Sequence, residues 1–181
     1  CNRIDRNTGG IVIAAKNAEA LRIINEKIRA HELEKFYLCI TVGRPKRPEG
    51  QIEGFLLKDE KKKEVRFFHK PVPGGKTAVT LYRTLESRGG LSLVECRLLT
   101  GRTHQIRVSM AEIGCPLLGD GKYGRGDVNR RYHETRQALY SYKLRFDFPT
   151  DAGLLNYLNG QEFTVENVPF REKYFPQAPS I

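Results

Sequence analysis

The chain contains no run approaching the roughly 18 consecutive apolar residues that a bilayer span requires, so no membrane-spanning helix is expected. Its first residues lack the basic, apolar and small-residue order of a secretory signal, and export is not expected either. Cysteine is sparse and poorly spaced for metal binding. Cys1, Cys39, Cys96 and Cys115 form no Cys-x-x-Cys pair, and Cys39 and Cys96 lie in apolar, strand-like runs. They are expected to be reduced and mostly buried in a cytoplasmic protein, with neither a zinc site nor a disulfide framework. The acidic residues show no cluster of the kind a metal-dependent nuclease needs to hold cations. Internal repeats and obvious linkers are lacking too.

Acidic residues are also outnumbered, 21 against 31 Lys and Arg, which leaves a net charge of +10. A surplus of that size favours a polyanionic partner such as nucleic acid, although a basic soluble surface alone would give the same count. With 39% apolar and 29% charged residues the 181-residue chain has globular composition. It is long enough for one domain burying roughly 70% of its unfolded surface, and too short for two full ones.

Residues 11–15 form a β-branched apolar run behind Gly9 and Gly10, predicting a buried strand entered through a permissive turn. Asn17 can cap a helix in which Leu21, Ile24 and Ile28 share a face, ending before Lys35. Residues 36–42 return to strand composition. The charge run 58–64, followed by 65–68, predicts a hairpin with a solvated tip. Residues 77–85 and 91–99 flank the turn-forming stretch 87–90 as antiparallel strands, with Val94, Cys96 and Leu98 on one face. Thr103 can cap a second helix carrying Ile106, Met110 and Ile113, closed by Gly114. Residues 125–136 have no period and are predicted irregular. Ala138, Tyr140, Tyr142, Leu144, Phe146 and Phe148 alternate through a long strand. A short strand is expected at 163–165, then an aromatic and proline-rich finish lying over the sheet. The fold class is α+β: a single domain with a mixed, mostly antiparallel sheet flanked by a few helices.

Polar residues of catalytic type gather in two segments. In Asn2-Arg3-Ile4-Asp5-Arg6-Asn7-Thr8-Gly9-Gly10 an acid is flanked by two arginines, a setting that favours the ionised carboxylate and suits a base or nucleophile. The same residues could simply shape a turn. In Gly101-Arg102-Thr103-His104-Gln105-Ile106-Arg107 a turn leads into a helix start, where free N–H groups suit an anion. There His104 could equally cap or pack. Gly119-Asp120-Gly121, with Tyr123-Gly124, is turn-rich and is assigned no chemistry.

Together the two segments resemble the signatures of the RluA-type pseudouridine synthases. That family has an aspartate motif, His-Arg-Leu-Asp-x-x-Thr-Ser-Gly, and a later Gly-Arg-Thr-His-Gln-Ile-Arg. Lys35-Phe36-Tyr37, Gly119-Asp120 and Tyr123-Gly124 add to a likeness running to about residue 148. The resemblance implies that Asp5 attacks the target nucleotide or takes a proton from it, that Arg107 pairs with Asp5, and that Tyr37 lies against the uracil ring. Ile106 would wall the pocket and Arg3 would enter the gap left by the displaced base. Arg6, Arg102, His104 and Gln105 are expected along the RNA. The activity implied is isomerisation of specific uridines in ribosomal or transfer RNA by base flipping, in a monomer using no metal or other cofactor. An RNA-binding module of the same fold without turnover is the alternative. Asn2 stands where the family has histidine, and Ser109 where a histidine is common. The family also has tens of residues ahead of its aspartate motif, so 1–181 is expected to be a catalytic domain without its upstream part.

Overall fold

The structure is a computed structural model and describes residues 1–178. Eight strands form one sheet in the order β1-β7-β2-β6-β5-β3-β4, with β8 also paired to β7. They are β1 (Gly9–Gly10), β2 (Leu33–Val42), β3 (Glu49–Asp59), β4 (Glu64–Phe68), β5 (Lys76–Arg88), β6 (Leu91–Leu98), β7 (Leu139–Phe146) and β8 (Glu162–Thr164). Among the described strands only β1 runs parallel to its neighbour, pairing Gly9 with Tyr140 and Gly10 with Ser141. The helices are α1 (Ala18–Arg29), α2 (Gln105–Glu112), α3 (Gly126–Tyr132) and α4 (Pro169–Tyr174), with a 3-10 helix at Gly153–Leu158. The α+β class with a mostly antiparallel sheet is therefore what the chain adopts.

Because β2 and β6 run through the middle of the sheet, both of their faces are covered. Tyr37, Cys39, Val94 and Cys96 face α2, meeting Ile106 and Met110. Leu38, Ile40, Leu93 and Tyr142 face the other way, under Val168 and Phe175. The aromatic tail thus lies over the sheet as far as residue 178, in keeping with its composition. Cys39, Cys96 and Cys115 are buried free thiols.

Four local expectations are corrected. Residues 11–15 are not a strand: the parallel pairing stops after Ile11 N–H, which donates to Ser141 O at 2.9 Å. Beyond it the Asn2 amide takes over, donating to Ile11 O at 3.2 Å and accepting from Ile13 N–H at 2.7 Å. On α1, Asn17 caps as expected, accepting from Ala20 N–H at 2.8 Å. However, Ala20, Ile23, Ile24 and Lys27 form the buried face and Leu21 is 43% exposed. The α2 N-cap is His104, left-handed at φ 54°, with Thr103 making no cap. Within 125–136, residues Gly126–Tyr132 are helical, because Asn129 reaches inward to Gly119 N–H (2.7 Å) and Asp120 O (3.1 Å) and anchors the segment.

Candidate active site

Asp5 sits in a tight turn in which Thr8 N–H donates to Asp5 O at 3.0 Å and Asn7 takes φ 69°. Gln137, just before β7, pins this turn through its amide, which donates to Arg6 O at 2.6 Å and Thr8 Oγ1 at 3.2 Å. The turn is thereby fixed over the sheet by β1 on one side and by Gln137 on the other. Asp5, Tyr37, His104, Ile106 and Leu139 all border one open cleft of about 370 Å³. Two segments some hundred residues apart in sequence thus share a wall, and Arg3, Arg6 and Arg102 lie along its rim, exposed to solvent.

Behind Asp5 lies Arg107, buried on α2. Its Nη1 is 3.7 Å from Asp5 Oδ2. The same guanidinium forms a bidentate pair with buried Asp120, Nε to Oδ2 at 2.7 Å and Nη2 to Oδ1 at 2.9 Å. Asp120 Oδ1 also accepts from Lys122 N–H at 2.9 Å and Tyr123 N–H at 3.1 Å. Burial pushes the Asp120 carboxyl up, but the Arg107 bond, the backbone N–H groups and the Arg107 charge outweigh it, and the net shift is downward. Arg107 is therefore a fixed cation presented to Asp5 from the protein side, and it does not form part of the cleft surface itself.

Burial raises the Tyr37 phenol above its ordinary range, and the Asp5 charge adds to that rise against a bond to Ser141. The phenol stays protonated, a flat and largely apolar ring beside the carboxylate. His104 is shifted down, first by burial and then by the Arg107 charge. Its Nδ1 lies 2.8 Å from Tyr123 Oη, which accepts from Val65 N–H at 2.8 Å and so has its own hydrogen to give the imidazole. Tyr123 also places its ring under Arg107, 5.2 Å from ring centre to guanidinium carbon.

Gln105, expected along the RNA, is buried and its amide is committed to the protein. Its Oε1 accepts from Thr100 Oγ1 at 2.8 Å and Arg102 N–H at 3.0 Å, while Nε2 donates to Val79 O at 3.0 Å and Thr80 Oγ1 at 2.9 Å. It braces the loop ahead of α2 against β5 and has no hydrogen-bonding capacity left for a base. Asp120 and Tyr123, assigned no chemistry from sequence, are the residues that hold Arg107 and His104. Their sequence signal was the turn-rich stretch of Gly119-Asp120-Gly121 with Tyr123-Gly124, of which Gly119-Asp120 and Tyr123-Gly124 form part of the family likeness. Among the described residues no group of three His, Cys, Asp or Glu side chains is gathered as a metal site.

An acid backed by a buried cation thus stands beside an aromatic ring in an open cleft rimmed by arginines. The profile of the RNA pseudouridylate synthase family matches residues 1–112. The chain is 36% identical over 167 residues to an uncharacterized RNA pseudouridine synthase of Chloroflexus aurantiacus, covering 91% of this chain and 48% of that one. It is 36% identical over 146 residues to ribosomal large subunit pseudouridine synthase D of Borreliella burgdorferi, covering 81% and 44%. Human RNA pseudouridylate synthase domain containing 1 has the same fold, with a TM-score of 0.71 at 22% identity over 100% of this chain and 81% of that one. The chain belongs to the RNA pseudouridylate synthase family, and it spans about half the length of the curated relatives it matches.

Proposed function

We propose that the protein converts specific uridines in ribosomal or transfer RNA to pseudouridine, and that residues 1–181 are its catalytic domain. The observation carrying this reading is the meeting of Asp5 and Arg107 at 3.7 Å behind an open cleft. The reaction breaks the N-glycosidic bond of a uridine, turns the freed uracil and rejoins it to the sugar through carbon, so atoms are conserved and no redox partner is needed. The target base must leave its stack, at a cost of a few kcal/mol offset by contacts in the cleft and by phosphate contacts to the basic surface. Asp5 is the group that reacts, Tyr37 lies against the uracil, and Ile106 closes the pocket wall. Arg107 acts on Asp5 as a positioning cation, and Gln105 acts through the loop it braces. Arg3, Arg6, Arg102 and His104 lie along the RNA path, with Arg3 entering the gap left by the base. The reading takes the enzyme to be a cytoplasmic monomer.

Mapping pseudouridine across ribosomal and transfer RNA in cells with and without the gene tests this. Loss of one or a few sites on deletion, restored by the native gene and not by one encoding Asp5→Asn, is the expected result. An unchanged map would overturn it. Restoration by Asp5→Asn would refute the role of the acid.

A further inference from the structure

Three of the side-chain cations at or next to the cleft already have an anionic or carbonyl partner. Arg107 is held by Asp120 and Asp5. Arg102 donates through Nε to Thr77 O at 2.9 Å. Arg97, on the wall of a small adjoining cavity, is paired with Glu34. Arg3 and Arg6 are exposed, where water solvates them at little cost. Lys35 differs from all of these. It projects from β2 two residues before Tyr37, hence on the same face of the sheet, and is only partly accessible. Burial alone pushes its pKa down, with no carboxylate answering it, and among the described residues its ammonium has no hydrogen-bond or ion-pair partner.

The position of the amine is as informative as its lack of a partner. Lys35 borders both the main cleft and the adjoining cavity of about 60 Å³ that contains His31 and Thr100. Its Nζ lies beneath Gly101, where a Cβ would stand 3.3 Å away, so the missing side chain at 101 leaves the amine room at the junction. The apolar walls around Tyr37, Ile106 and Leu139 suit a flat ring. The junction beyond them offers a compact cation with three donors, which suits a phosphate oxygen. A partly desolvated ammonium without a counter-ion is unfavourable in the empty site and gains most when an anion arrives.

We infer that the Lys35 ammonium binds a backbone phosphate of the RNA strand whose uridine enters the cleft. This rests on the proposed function, since it takes the strand to be RNA and the flat ring to be uracil. Lys35 is thus a substrate-positioning residue: it fixes the strand so that the sugar of the extruded nucleotide faces Asp5.

The test is the salt dependence of binding to a single-stranded oligouridylate by the native protein and by Lys35→Met, Lys35→Gln, Lys35→Arg and Lys46→Met. Lys46 is exposed and borders neither cavity. Loss of one phosphate contact is expected to lower the log–log slope by about 0.7 in the two neutral variants, with Lys35→Arg restoring it and Lys46→Met leaving it unchanged. A contact to a uracil carbonyl releases no counter-ion, so weaker binding at an unchanged slope would overturn the inference. Equal slope changes for Lys35→Met and Lys46→Met would also overturn it, by showing a diffuse charge effect. Two neutral variants guard against one that misfolds. Pseudouridine formation by the native protein is scored separately: its absence refutes the proposed function, whereas an unmoved slope in an active enzyme refutes only the role of Lys35.

Discussion

Arg107 holds two carboxylates at once, Asp120 through a bidentate pair at 2.7 and 2.9 Å and Asp5 through a looser approach at 3.7 Å. The tight pair fixes the guanidinium and satisfies two of its nitrogens, which leaves Nη1 to face the cleft acid. Asp5 is 23% exposed on its side chain while that of Asp120 is fully buried, so only one of the two acids is open to a substrate. A buried and an accessible carboxylate thus share one cation, distinguished by their burial.

Removing the inner partner is expected to be costly. Asp120→Ala leaves Arg107 buried beside Asp5 alone, and breaking a buried pair in this way costs about 3–5 kcal/mol. Urea unfolding measures it, and a loss below about 1 kcal/mol would show that Asp5 or water replaces the lost acid. The folded Asp120 carboxyl is shifted down, so its contribution is complete above its unfolded pKa of about 3.9 and fades as pH falls through the lower folded value. The native protein should therefore lose this contribution only in strong acid.

His104 gives a second pH dependence in a different window. Its folded pKa lies below the ordinary value, so protons bind more readily to the unfolded chain and stability falls as pH drops below about 6.5. Imidazole resonances followed by NMR should show His104 still neutral where an ordinary histidine is half protonated. Tyr123→Phe should strip Val65 N–H and His104 Nδ1 of their common partner, at about 1–3 kcal/mol of stability. A His104 titration at or above the ordinary histidine value would contradict this picture.

Much of this was legible in the sequence, for local reasons. Asn17 before an acidic first turn and an apolar stripe marks α1, and the helix starts there. Gly89 and Gly90, both at positive φ, turn β5 into β6 where the glycine pair stands. The apolar alternation from Ala138 onward marks β7, but it does not keep to one face: an extra residue at Tyr142 shifts the register against β2, so Tyr140 lies opposite Leu38 and Leu144 opposite Lys35, on the other side of the sheet. The two signature segments meet as the family likeness implied. What was not legible depends on contacts distant in sequence. The apolar run 11–15 has strand composition, but after Ile11 its hydrogen bonds go to the Asn2 side chain. Helix α3 lacks a periodic pattern because Asn129, a polar anchor to the Gly119 turn, takes the inward position. Asp120 looked like a turn residue because its partner, Arg107, comes from the preceding helix and the pair shows only in three dimensions.

The turn that carries Asp5 depends on a glycine for which no other residue is suited. Gly10 adopts φ 114°, and a Cβ there would lie 2.2 Å from the backbone oxygen of Ser141. Gly10→Ala should lose at least about 1–3 kcal/mol from the backbone conformation alone and should open the β1–β7 pairing. Gly121→Ala, with nothing within 4 Å of the added carbon, serves as the control. Hydrogen exchange at Ile11 N–H, which is bonded to Ser141 O, should accelerate in the first variant and not in the second. Equal protection in both would show that the turn is held by Gln137 alone.

The most direct measurement is tritium release from RNA labelled at uracil carbon 5, since joining that carbon to the sugar must expel its hydrogen. The full-length protein should release tritium and its Asp5→Asn variant should release none above background, while both bind the same RNA with equal affinity and unfold at the same urea concentration. Normal release from the Asp5→Asn protein would contradict the assignment of Asp5 as the reacting acid.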